Sequence, residues 1–162
     1  MDLYILRHGD AAQPGTTRDA DRPLTTVGMK EINNIAHGMR TMNLSFDAIL
    51  TSPYRRARET AEIVGEVLEC GSLISQSPNL VSDEDPAAIT KEISQHYSRK
   101  MNILLVGHEP NLSALISVLI SGSHTVSLKL KKGGLCKLSA ESLRFGKCAT
   151  LEWLMGPSQI AG

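Results

Sequence analysis

Short apolar runs punctuate the chain at Leu3 to Leu6, Ala48 to Thr51, Leu73 to Ser75 and Ile103 to Val106, and between them apolar residues return every three or four positions. Runs of this length, rich in Leu and Ile, read as buried strands. Leu24, Gly28, Ile32, Ile35, Met39 and Met42 predict a helix over about 25–42, with Thr25 or Thr26 as its cap. Ala57, Ala61, Val64 and Leu68 predict a second helix after Pro53. Asp85 and Pro86 open a third toward Tyr97, and Pro110 opens a fourth through Ile120. Strands separated by helices need long crossovers, and these give a mostly parallel sheet covered on both faces. The expected fold is an α/β class three-layer α/β/α sandwich.

After Gly122 the pattern changes. Val126 to Leu130, the turn Lys131-Lys132-Gly133-Gly134 and Leu135 to Leu138 read as a hairpin, and Cys148 to Met155 reads as a last strand. At least one antiparallel strand is therefore expected. No repeat, low-complexity tract or Pro/Gly-rich linker divides the chain, so a single domain is expected over 1–162. Its body ends near residue 156, and the tail from Pro157 to Gly162 is expected to fray.

Composition removes several function classes. The 162 residues are 41% hydrophobic and 21% charged, and 17 basic residues balance 17 acidic ones, so no basic field awaits a nucleic acid. A local cationic pocket for one small anion stays open. The first residues, Met-Asp-Leu-Tyr-Ile-Leu-Arg, do not read as an export signal. The longest uncharged stretch, Pro110 to Ser123, falls short of the ~20 apolar residues that span a bilayer. Cys70, Cys136 and Cys148 are odd in number and widely spaced, which suggests neither a disulfide framework nor a zinc site. A cytoplasmic protein is expected.

In open parallel sheets ligands bind beyond the carboxyl ends of the strands. Here those ends read Arg7-His8-Gly9, then Thr51-Ser52-Pro53-Tyr54-Arg55-Arg56, and finally Gly107-His108-Glu109-Pro110. Two histidines and up to three arginines can converge at one edge. A guanidinium fork matches phosphate oxygens two at a time. A histidine beside such forks is held toward its neutral, nucleophilic form, and Gly9 lets the backbone come close to the ring or the phosphate. Such a group suits phosphoryl transfer without a metal or other cofactor. His37, His96 and His124 read as hydrogen-bonded structural residues, and by helix pattern alone Arg55, Arg56 and Arg58 read as a solvated face on which Arg55 and Glu59 form an i,i+4 pair.

These residues resemble the histidine phosphatase superfamily, whose fold is that of the phosphoglycerate mutases. The resemblance rests on Arg7-His8-Gly9, on Ser52-Pro53-Tyr54-Arg55-Arg56-Ala57-Arg58-Glu59-Thr60 and on Gly107-His108-Glu109-Pro110, in that order after three strands. Arg-His-Gly-Asp-Ala-Ala at 7–12 and Asp21-Arg22-Pro23-Leu24-Thr25-Thr26-Val27-Gly28 are similar to the phosphohistidine phosphatases of the SixA type. The resemblance implies that His8 is the nucleophile, that Arg7 and Arg56 bind phosphate, and that His108 completes the pocket. Arg22, Gly9 and Ser52 are further expected substrate contacts. Larger members use a carboxylic acid to protonate an alkoxide leaving group. In the corresponding interval stand Asp83 and Glu84, followed by Asp85-Pro86, which reads equally as a helix cap.

The function implied is removal of phosphate from a phosphohistidine-bearing protein, such as a histidine-containing phosphotransfer domain, through a phosphorylated His8. A phosphatase for small phosphomonoesters, a non-catalytic phosphate-binding module, and a metal hydrolase built on His8, Asp10 and His108 are the alternatives. Neither a nucleic acid nor a membrane is an expected partner.

Overall fold

The structure, a computed structural model, describes residues 1–162. Its strands are β1 (Asp2–Arg7), β2 (Ala48–Thr51), β3 (Ile74–Gln76), β4 (Asn102–Gly107), β5 (Leu135–Ser139) and β6 (Thr150–Met155). They form one sheet in the order β3-β2-β4-β1-β5-β6. Pairings β2·β3, β2·β4 and β1·β4 are parallel, while β5 runs antiparallel to both β1 and β6. The helices are α1 (Thr26–Thr41), α2 (Arg55–Val67), α3 (Pro86–His96), α4 (Asn111–Ser121) and α5 (Pro157–Ala161).

Both faces of the sheet are covered, which is why its central strands read as unbroken apolar runs. Leu3 and Ile5 of β1, with Ile103 and Leu105 of β4, pack against Ile89 and Ile93 of α3 and Leu112, Leu115 and Ile116 of α4. The alternate residues Tyr4, Leu6, Leu104 and Val106 meet Ile32, Ile35 and Met39 of α1 and Ala57, Ala61 and Val64 of α2 on the other face. The three-layer sandwich and its antiparallel strand are thus present. Of the two possible caps for α1 the chain uses Thr25, whose side chain accepts the Gly28 N–H at 2.9 Å. Asp85 caps α3 through the Ala87 N–H.

Two expectations are corrected. The segment 126–130 forms no strand, so the hairpin does not exist. The Val126 N–H is instead satisfied by Ser117 Oγ, and β5 takes β1 as its inner partner, in an exchange that keeps Leu135, Cys136 and Leu138 buried. The turn before β5 closes over the end of β1, with the Gly133 N–H donating to Arg7 O at 3.0 Å and the Arg7 N–H to Gly134 O at 3.1 Å. Gly133, at φ +68°, takes a conformation that glycine adopts without strain.

The second correction concerns the tail. Pro157–Ala161 is a helix docked on α1, with Ile160 buried in the core and the Gly156 N–H held by the Gln159 side chain. Gly38 makes the docking close, because a Cβ there would collide with the Ile160 carbonyl. On helix propensity alone, Gly38→Ala would stabilise α1 by about 1 kcal/mol. With α5 docked the sign reverses, and the variant should unfold with a loss of about 1–3 kcal/mol in urea denaturation.

Candidate active site

The strand order brings the carboxyl ends of β2, β4 and β1 side by side, so Ser52, His108 and His8 follow one another along one edge of the sheet. The two imidazole rings lie 4.9 Å apart, centroid to centroid, at 55°. Both are buried, His8 at 6% exposure and His108 at 2%.

The hydrogen bonds of His8 define its tautomer. Nδ1 lies 2.7 Å from the Gly9 carbonyl, which can only accept, so Nδ1 carries the proton. Nε2 accepts a hydrogen bond from Arg56 Nε at 3.2 Å and therefore holds a lone pair. Burial pulls the ring down to about pKa 4, against the bond to Gly9, with Arg56, Arg7 and Lys132 adding to the fall. His108 is lowered to about 3, again first by burial and then by His8 and Arg56. Charge repulsion from the arginines, the cause expected from sequence, is the smaller effect at both rings.

Arg56 points inward because α2 buries the stripe Arg56, Ala57, Thr60, Ala61 and Val64. The helix is keyed to the chain after β1 by Thr60, whose Oγ1 donates to Arg56 O and accepts the Gly9 N–H. Arg55 lies on the opposite face, half exposed and paired with Glu59 at 2.7 Å. The Arg7 guanidinium donates from Nη1 to Leu130 O, and its buried Nε has no protein partner. The Tyr54 ring lies 5.0 Å from the His108 ring, tilted by 56°, and beneath the Arg56 guanidinium at 5.2 Å.

The other expected residues are placed differently. Ser52 Oγ is 2.8 Å from His108 Nε2, a contact within the site. A Cβ at Gly9 would stand 2.6 Å from Ile32 Cγ1, so its bareness serves packing against α1. Arg22 reaches the cluster only through Asp19 and also donates to Ala12 O. Asp83 and Glu84 are exposed and make no hydrogen bond or ion pair with Arg7, His8, Arg56 or His108. His37, His96 and His124 are solvent-facing and are not the hydrogen-bonded structural residues expected. Asp10 holds Thr25 Oγ1 at 3.0 Å and Lys132 Nζ at 2.7 Å, so its carboxylate is committed to those groups.

Asp19 and Lys132 escaped the sequence reading. Asp19 accepts from Arg56 through its carbonyl at 2.7 Å and its carboxylate at 3.0 Å, and the two arginines beside it hold its pKa below the usual carboxylate value against the cost of burial. It sits in an exposed polar run, and nothing local marks it. Lys132 lay in what read as a hairpin turn.

Comparison with known proteins places the chain in a family. Residues 3–81 match the family description Histidine phosphatase superfamily (branch 1). The phosphohistidine phosphatase SixA of Escherichia coli (strain K12) is 30% identical over 75% of this chain and 76% of its own. An uncharacterized protein of Picosynechococcus sp. is 34% identical over 89% of this chain and 88% of its own. Among solved structures, the protein histidine phosphatase SixA complexed with tungstate superposes with a TM-score of 0.87 at 26% identity, over 99% of both chains. With its fold shared end to end with that structure and 30% identity to a phosphohistidine phosphatase over three quarters of both chains, the chain belongs to the histidine phosphatase superfamily, as a SixA-type phosphatase.

Proposed function

We propose that this phosphatase acts on phosphohistidine carried by a protein, such as a histidine-containing phosphotransfer domain, through a phosphorylated His8. The observation that carries the reading is the unprotonated Nε2 of His8, held by a proton on Nδ1 and lying against the Arg56 guanidinium. Arg7 and Arg56 bind the phosphoryl oxygens and spread the charge that develops there. His8 Nε2 forms a bond to phosphorus as the bond from phosphorus to the substrate ring nitrogen breaks. With its other nitrogen protonated, that ring departs as neutral imidazole. Water then attacks the phosphorylated His8, releasing phosphate and restoring the lone pair.

A leaving imidazole of this kind needs no acid from the protein, which accords with the exposed positions of Asp83 and Glu84. The positive charge that a metal would otherwise bring comes from the two guanidiniums. Substrate phosphate must compete with the Asp19 carboxylate for Arg56. The whole of 1–162 acts as one catalytic unit in this reading, in the cytoplasm, where the free Cys70, Cys136 and Cys148 stay reduced. No helix is long and apolar enough to cross a membrane.

A substrate screen tests the proposal. Phosphohistidine protein should be turned over with higher kcat/KM than sugar phosphates or nucleotides, without loss in a chelator, and tungstate should inhibit competitively. Preference for a small ester would make the protein a phosphomonoesterase, and binding without turnover would make it a phosphate-binding module.

The histidine pKa values also predict a pH response. A neutral His8 persists down to about pH 4, so the acidic limb of kcat/KM, once substrate ionisation is divided out, should fall near 4 and not near the 6.5 of an ordinary imidazole. Both rings are harder to protonate folded than unfolded. The stability this brings is full above about pH 6.5 and is lost as pH falls toward 4 and 3, which urea denaturation across that window will read.

A further inference from the structure

His108 is a ring with one nitrogen engaged and one left over. Nε2 meets Ser52 Oγ at 2.8 Å, whereas the buried Nδ1 has no partner in the protein. A neutral imidazole has a single N–H, so the two nitrogens have opposite roles, and whichever group meets the first decides what the second presents.

Ser52 is able to make that decision. It is fully buried at the end of β2, and its hydroxyl has one proton and two lone pairs. One lone pair receives the Tyr54 backbone N–H at 3.3 Å. Its only other hydrogen-bond partner is His108 Nε2, so within the protein its proton is satisfied by donating there. An Oγ–H that donates to Nε2 makes Nε2 the acceptor and puts the ring proton on Nδ1. The second nitrogen of this ring, whose centroid lies 4.9 Å from that of His8, is then an unpaired buried donor, a costly group to leave without an acceptor.

We infer that Ser52 is a positioning residue, which fixes His108 as the Nδ1–H tautomer so that an uncharged ring offers a hydrogen-bond donor to the phosphoryl group held by Arg7 and Arg56. Ser52 is thereby not the direct substrate contact expected from sequence. It acts through His108, and Tyr54 supports it twice, by the backbone N–H to Oγ and by the ring against His108. The inference rests on the proposed phosphoryl-transfer role of the site, but the tautomer itself can be measured without any substrate.

Ring nitrogen-15 shifts in long-range proton–nitrogen NMR distinguish a protonated from an unprotonated imidazole nitrogen. At neutral pH the His108 signals should show protonated Nδ1 and bare Nε2, and saturating tungstate should move the Nδ1 signal. Ser52→Ala should shift the ring toward the Nε2–H form and lower kcat/KM by ~10- to 100-fold, the range seen when the partner of a functional histidine is removed. In a His108→Ala background the same change should cost less than about twofold, since a residue acting through another has nothing left to act on. Ser52→Thr, which keeps the hydroxyl, should retain the wild-type tautomer and recover most of the rate.

Protonated Nε2 in the wild-type protein, an Nδ1 signal unmoved by bound tungstate, or equal losses from Ser52→Ala in both backgrounds would overturn the inference. Should Ser52→Ala fail to fold, the wild-type spectrum with and without tungstate decides alone. Absence of turnover on every phosphorylated substrate, with the Nδ1–H tautomer still observed, would instead remove the proposed function.

Discussion

His8→Ala should lower turnover by ~10⁴-fold or more while the far-ultraviolet circular dichroism stays that of the wild type. The ring is buried yet contributes little packing that a strand end cannot lose, because β1 remains paired on both sides by β4 and β5. What disappears is the lone pair on Nε2. The proposal is specific about the species formed in the wild-type enzyme. A phosphorus–nitrogen bond at His8 is lost in acid, where protonation makes the ring a good leaving group, and survives alkali. Serine phosphate resists acid, and aspartyl phosphate is lost in alkali. Label trapped from a radioactive phosphohistidine protein should therefore vanish in acid, persist in base and map to the peptide that contains His8. Label on Ser52 or Asp10, or near-normal activity in folded His8→Ala, would mean that another group attacks phosphorus.

Arg56→Ala should cost ~10³-fold in kcat/KM, and Arg55→Ala about twofold or less. The two arginines are adjacent in sequence and opposite in environment. Arg56 is 4% exposed and touches His8 Nε2, whereas Arg55 is half exposed on an ion pair with Glu59, an interaction worth under about 1 kcal/mol at a surface. Arg56→Lys should rescue little, because an ammonium cannot reach His8 Nε2 and two phosphate oxygens from a fixed plane. Comparable losses at 55 and 56 would show that α2 presents a different face to the reaction. A second consequence concerns tungstate, whose inhibition constant should rise in Arg56→Ala and stay unchanged in Arg55→Ala.

The spacing of Ala57, Ala61 and Val64 places α2 in the sequence, but by that pattern Arg55, Arg56 and Arg58 read as one solvated face, and it is the family resemblance that singles out Arg56. In the fold Arg56 is buried beside Ala57 and Thr60 while Arg55 is exposed. The same kind of local pattern located the four β-α pairs and the polar residues that end β1, β2 and β4. Each of those readings depends on side chains a few positions apart, whose spacing already states which face is covered.

Other features required the folded chain. That His8 and His108 meet follows from β4 lying between β1 and β2, an order that no periodicity records because it joins residues a hundred positions apart. Alternating apolar residues from Val126 to Leu130 imitated a strand, but β5 gained more by pairing with the buried β1 than with a segment whose Val126 is exposed. Pro157 to Gly162 read as a frayed tail, yet Pro157–Ala161 is a helix because Gly38 leaves room on α1 for Ile160. Asp19 reached Arg56 across an exposed loop, and Lys132 came beside His8 with the turn that closes over β1.

The layered fold class and the polar groups that end the strands were set by local pattern, since both follow from short-range spacing of apolar and polar residues. Tertiary structure decided the neighbours of those groups, and with them the tautomer and neutrality of His8 and the orientation of His108. Burial and hydrogen-bond geometry are properties of surfaces brought together from distant parts of the chain, and these control the chemistry of an imidazole more strongly than the charges written beside it.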